Sequence, residues 1–121
     1  MLSHISFVSI LATNPERARD FYTGLLGMKV AVDAPYGEKR WIMLEIPGAR
    51  TQLHLDHVDA MPQSGTPALP LIVSDLAAVI ARLRDGGARV GAEPQPGDWK
   101  PGVGYAQVQD TEGTTVRLAT G

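Results

Sequence analysis

The sequence predicts an α+β fold made of two tandem strand–helix–strand–strand–strand (βαβββ) modules. Three observations predict it. Two helix starts, at Asn14-Pro15 and at Ser74-Asp75, each follow a stretch rich in strand formers. Each helical stripe runs into glycine, Gly27 in the first half and Gly86-Gly87 in the second, and each is followed by shorter apolar runs separated by Pro/Gly turns. The second copy begins roughly half a chain after the first, a period longer than those of short-repeat solenoids. Module 1 covers about residues 1–57, a linker covers 58–67, and module 2 covers about 68–121, all within one domain.

Residues 4–11 are the first expected strand. Asn14 can then accept a hydrogen bond from the free N–H groups of a helix start, and Pro15 loses no useful donor there. Ala18, Phe21, Tyr22 and Leu25 recur at helical spacing, with Glu16, Arg17, Arg19 and Asp20 turned away, and Gly27 closes the helix. Strands are expected over 28–32, 41–46 and 51–56, with Pro35, Tyr36 and Gly37 in one turn and Pro47-Gly48 in the next. A loop over 57–67 leads to a strand at 69–73. Asp75 caps a helix in which Leu76, Val79, Ile80 and Leu83 share a face, and Gly86-Gly87 stops it. A short strand at 89–91, a Pro/Gly-rich excursion over 93–102, a strand at 105–109, a turn at 110–113 and a strand at 115–119 complete the chain.

The chain has 121 residues, a net charge of −2, and no cysteine. Its scattered basic residues make no field for nucleic acid, and the absence of cysteine removes disulfides, thiolate metal sites and a cysteine nucleophile. No run is apolar enough to span a bilayer, and the N-terminus lacks signal-peptide order, so a cytoplasmic protein with no membrane partner is expected.

Strand alternation sorts the side chains. Ile42, Leu44 and Ile46 share one face with Leu53 and Leu55, leaving Trp41, Met43, Glu45, Gln52, His54 and Asp56 on the other. In the last two strands Ala106, Val108, Val116 and Leu118 point inward. Tyr105, Gln107, Gln109, Thr115 and Arg117 then face away from the helix. Such residues either face water or line a pocket with apolar walls and a few orienting polar groups.

Phe7-Val8-Ser9-Ile10, Asn14-Pro15-Glu16-Arg17-Ala18, and Asp20-Phe21-Tyr22 with Leu25-Leu26-Gly27-Met28 resemble the first module of the vicinal oxygen chelate superfamily. That superfamily includes glyoxalase I, the bleomycin-resistance proteins and the extradiol dioxygenases. Val73-Ser74-Asp75-Leu76, Leu83 before Gly86-Gly87, and Asp110-Thr111-Glu112-Gly113 leading into Val116-Arg117-Leu118 resemble its second module. The resemblance covers nearly the whole chain and implies that the curved mixed sheets form a half-barrel cleft. These motifs are helix and turn signatures, so activity has to be argued from the site.

In metal-dependent members, ligands stand on the first and last strand of each module. The resemblance puts those positions at Phe7, His54, about Ala68, and Arg117. Phe7 and Ala68 cannot bind a metal and Arg117 would repel one, so neither a metal nor another cofactor is expected. A divalent metal would return only with a shifted register. His4 lies an odd number of residues from Phe7 and should face the other way.

The expected ligand-binding residues are Phe7, Ser9, Trp41, Met43, Glu45, Gln52, His54, Trp99, Tyr105, Gln107 and Arg117, and the one candidate catalytic group is His54. His54 reads either as a general base or acid, or as a half-exposed strand histidine beside Glu45 or Asp56. Arg117 could clamp a carboxylate or phosphate, or pair with Glu45. Trp99 could stack on a flat ligand or anchor its own loop. Two functions follow, beside a third and duller reading as an accessory domain with a vestigial cleft. One is a metal-independent protein holding a small, partly aromatic molecule, in a homodimer as the resemblance implies. The other is an enzyme of the same superfamily, either a metal-dependent lyase, isomerase or dioxygenase, or a metal-free one with His54 as base.

Overall fold

The structure is a computed structural model that describes residues 1–91, the backbone of 95–96, and residues 104–120. In chain order the elements are β1 (Phe7–Ala12), α1 (Pro15–Gly24), β2 (Lys29–Tyr36), β3 (Lys39–Glu45), β4 (Gln52–His57), β5 (Leu69–Ile72), α2 (Leu76–Asp85), β6 (Arg89–Val90), β7 (Gln95–Pro96), β8 (Gly104–Gln109) and β9 (Thr115–Ala119). They form two compact units, Met1–Gly65 and Thr66–Gly121.

Both helices start as their sequences dictate. Asn14 Oδ1 accepts the Arg17 N–H at 3.1 Å, and Asp75 Oδ1 accepts the Ala78 N–H at 3.0 Å. Helix α1 ends at Gly24, earlier than expected: Leu25 caps it with its N–H on Phe21 O, and the left-handed glycine, Gly27 at φ 77°, comes beyond the cap. The Met28 N–H bonds Tyr22 O at 3.1 Å, so a tight turn delivers the chain straight into β2.

The sheet of the first unit has the order β1-β4-β3-β2, with β1 and β4 parallel and the other pairs antiparallel. Strand β2 runs on through Pro35, which was expected in a turn. As the edge strand it tolerates a residue with no N–H to donate. The helix-covered face buries Ile10, Ile42, Leu44, Leu53 and Leu55 against Ala18, Phe21 and Tyr22 of α1. Each large aliphatic side chain so buried contributes roughly 1.5–3 kcal/mol. Ile46, expected on that face, lies past the end of β3 and is exposed.

Glu16 and Arg19 do not simply face water. Arg19 Nη1 donates to Asp33 Oδ2 at 2.6 Å, the Arg40 guanidinium also donates to Asp33, and Arg40 Nε lies 3.7 Å from Glu16 Oε1. The cluster ties α1 to β2 and β3, and the Arg40 guanidinium, with that of Arg19, holds the Asp33 carboxyl below the usual carboxylate range.

The second unit repeats the plan. Its sheet runs β5-β9-β8-β6, with β5 and β9 parallel and β7 also pairing with β8. Helix α2 buries Leu76, Ile80 and Leu83, and Ala106, Val108, Val116 and Leu118 are buried on the sheet. The turn after β8 is held by Asp110, whose Oδ1 accepts the N–H groups of Glu112 at 2.8 Å and Thr114 at 3.0 Å. Buried Thr114 in turn shares a hydroxyl hydrogen bond of 3.0 Å with Thr66.

Candidate functional site

In each unit the helix covers one sheet face, and the candidate side chains stand on the other. In the first unit, register places Phe7 beside Gln52, Ser9 beside His54, and Met43 and Trp41 beside His54 and Asp56. Cross-strand partners point to the same side, so this face gathers rings. The His54 imidazole lies 4.0 Å from the Trp41 indole, centroid to centroid, tilted by 34°. Phe7 meets both edge-on, at 5.5 Å from His54 and 6.3 Å from Trp41. Tyr36 extends the cluster, 5.8 Å from Trp41.

His54 is only 6% exposed, which corrects the half-exposed reading. Trp41, Phe7 and Met43 shelter its ring. Its Nδ1 is 3.0 Å from Ser9 Oγ, and among the described residues Nε2 has no hydrogen-bond partner. Burial pushes its pKa below the ordinary imidazole value, opposed by the nearby Asp56 carboxylate, which favours the neutral ring. A neutral imidazole with one nitrogen engaged can offer the other to a ligand as donor or acceptor, according to tautomer. Gln52 and Glu45 are half-buried on the same face, and Ser9 is exposed.

On the second unit's open face, Gln107 pairs with Arg117, and Gln109 with Thr115 on one side and Arg89 on the other. Tyr105 is half-buried opposite Ala119. Among the described residues Arg117 has no ion-pair partner. Trp99 lies outside the described residues. His4 is exposed, precedes β1 and hydrogen-bonds Ser3 Oγ at 2.9 Å, so it takes no part in either face.

Three of the four positions that the resemblance marks for metal ligands carry side chains that are not metal donors. Phe7 and Ala68 offer no donor atom and Arg117 carries a fixed positive charge. Among the described residues no three His, Cys, Asp or Glu side chains come together.

Tyr36 and Arg89 are open-face residues that sequence reasoning missed. Alternation carried back across the hairpin from Trp41 to Ala34 would have found Tyr36, had Pro35 not been taken for a turn. Arg89 follows from its pairing with Gln109, which the two-residue length of β6 conceals.

A βαβββ duplication with one free sheet face per module defines a vicinal oxygen chelate protein. The chain belongs to the Glyoxalase/Bleomycin resistance protein/Dioxygenase superfamily, whose pattern it matches over residues 2–118. It is similar to TnmS3, an antibiotic binding protein from Streptomyces sp. CB03234, with 30% identity, a TM-score of 0.83, and 98% of this chain and 96% of that one covered. A superfamily member from Sphaerobacter thermophilus DSM 20745 shares the fold, with a TM-score of 0.84 at 23% identity over 99% and 98% of the two chains. The uncharacterized protein YetH of Bacillus subtilis (strain 168) is 25% identical, over 98% of each chain. Among the described residues no helix is long and apolar enough to cross a membrane.

Proposed function

We propose that the protein binds a small, partly aromatic organic molecule without a metal, on the open face of its first unit. The observation that carries this reading is the ring cluster of Trp41, His54, Phe7 and Tyr36, with Ser9 hydrogen-bonded to the buried imidazole. A flat ligand gains dispersion and stacking energy against such rings, about 0.5–1.5 kcal/mol per good pair beyond area burial. His54 Nε2, Gln52 and Glu45 would orient its polar groups. The likeness to an antibiotic binding protein supports a binding role, and the donor-poor set at Phe7, Ala68 and Arg117 supports metal independence. The assembly proposed is a cytoplasmic homodimer, on the resemblance.

The test is an isothermal calorimetric titration of the protein with 2-naphthol and quinoline, with metal content measured on the same sample. Saturable binding that Trp41→Ala abolishes, in protein holding less than one metal per ten chains, is the expected result. Binding unaffected by Trp41→Ala and Phe7→Ala would overturn it.

The Ser9–His54 hydrogen bond favours one second reading, a metal-free enzyme with His54 as general base. That reading requires His54→Gln to abolish turnover of a substrate that the variant still binds.

A further inference from the structure

We infer that the open face of the second unit carries an oxyanion subsite, built around Arg89, for the carboxylate or phosphate of a small organic acid. It stands on the second unit alone and does not depend on the reading proposed above.

The registers define two rows across this sheet. Arg89, Gln109 and Thr115 form one; Gly91, Gln107, Arg117 and Pro70 form the next. Gly91 belongs to the second row because its N–H donates to Gln107 O at 2.8 Å. Where its neighbours raise side chains, Gly91 raises none, and a concavity of about 240 Å³ opens there, lined by Arg89, Gly91, Gln107, Val108, Gln109 and Thr115. That is smaller than the ~300–1,000 Å³ of a site for a whole drug-sized ligand, and fits a headgroup with one ring.

The lining is rich in donors. Arg89 presents a planar fork, each glutamine an amide NH₂, and Thr115 a hydroxyl, which together match the lone pairs of a carboxylate or phosphate. Arg117 adds a second positive charge, its Cα about 11 Å from that of Arg89 by strand spacing, so that both long side chains can reach one ligand. Neither arginine has an ion-pair partner among the described residues, and neither row contains a carboxylate. The described carboxylates of the unit lie on α2 or at its cap, at Asp75 and Asp85, and in the 110–113 turn, where Asp110 Oδ1 is already bound by two backbone N–H groups.

Gly91 makes the inference testable without strain. A Cβ placed on it would meet only Gln107 O, at 3.6 Å, an ordinary contact, so a larger side chain would fill the hollow and leave the backbone undisturbed. The experiment is a ¹⁵N NMR titration of the full chain with benzoate, phenyl phosphate and neutral benzamide. Benzoate or phenyl phosphate should shift the Gly91 amide and the Gln107 and Gln109 side-chain amides saturably, and benzamide should not. Binding should weaken at least tenfold in Arg89→Gln and in Gly91→Leu, and remain unchanged in Arg84→Gln on α2. The tighter of the two anions identifies the headgroup. Equal responses to benzoate and benzamide, or binding unchanged in Arg89→Gln, would overturn the inference. Should Gly91→Leu fail to fold, the exposed Arg89→Gln variant decides alone.

Discussion

The His54 imidazole packs 4.0 Å from the Trp41 indole while its Nδ1 meets Ser9 Oγ at 3.0 Å, so one histidine joins the aromatic and the polar parts of the open face. Burial lowers its pKa from the ordinary value of 6.5, with Asp56 opposing. Between the lowered value and 6.5 the unfolded chain binds more protons than the folded one, so this contribution to stability is present above 6.5 and is lost as pH falls through the lowered value. The denaturant midpoint should therefore fall more between pH 7 and pH 5 in the unmodified protein than in His54→Gln. Equal falls would show that His54 titrates alike in both states.

Trp41→Ala removes the ring against which Phe7, Tyr36 and His54 all pack. Because Trp41 is half-buried, the expected loss of stability is about 1–3 kcal/mol, below that of a fully buried tryptophan. Trp41→Phe should recover most of it. Chemical unfolding followed by far-UV circular dichroism measures both.

Asp33 receives two arginines, Arg19 and Arg40, from different elements. Asp33→Asn should cost about 1–3 kcal/mol near neutral pH, because it leaves two part-buried guanidinium groups short of a charged acceptor. The sign of the pH effect is that of a depressed carboxyl. Its contribution is present above the unfolded value near 3.8 and is lost as pH falls through the lower folded value. The difference between the two proteins should shrink in acid, which unfolding curves at pH 7 and pH 2.5 would measure.

Asp110→Ala deprives two backbone N–H groups of their acceptor in a turn whose neighbour Thr114 is buried. A loss of about 1–3 kcal/mol is expected, with faster hydrogen exchange at the Glu112 and Thr114 amides. Asp110→Asn keeps an oxygen in place and should lose less.

Much of this architecture was legible in the sequence because it is written in local chemistry. Asn14 and Asp75 cap their helices as side chains of that type do, and the alternation through Leu53, His54 and Leu55 assigns the sheet faces correctly. The errors fall where tertiary partners decide. Gly27 marks the left-handed turn, yet the helix stops at Gly24 because the Met28 N–H turns back to Tyr22. Pro35 looked like a turn residue until its strand proved to be an edge, and Tyr36 was missed with it. Glu16 and Arg19 looked like surface charges because their partners, Arg40 and Asp33, stand on other elements. The burial of His54 depends on Phe7, which is remote in sequence.

The parallel pairing of β1 with β4 sets an order of assembly. The β2–β3 hairpin can form from neighbouring residues, but Ser9 and His54 are 45 positions apart, and β1 has no partner until β4 exists. During synthesis the first strand of this sheet to leave the ribosome is thus the last of it to be paired, and until then Val8 and Ile10 remain unprotected for a chaperone to hold. Phe7 joins Trp41 and His54 only once that strand has docked, so the change in Trp41 fluorescence as the Phe7 ring packs against it would time the closing step of the first unit's folding.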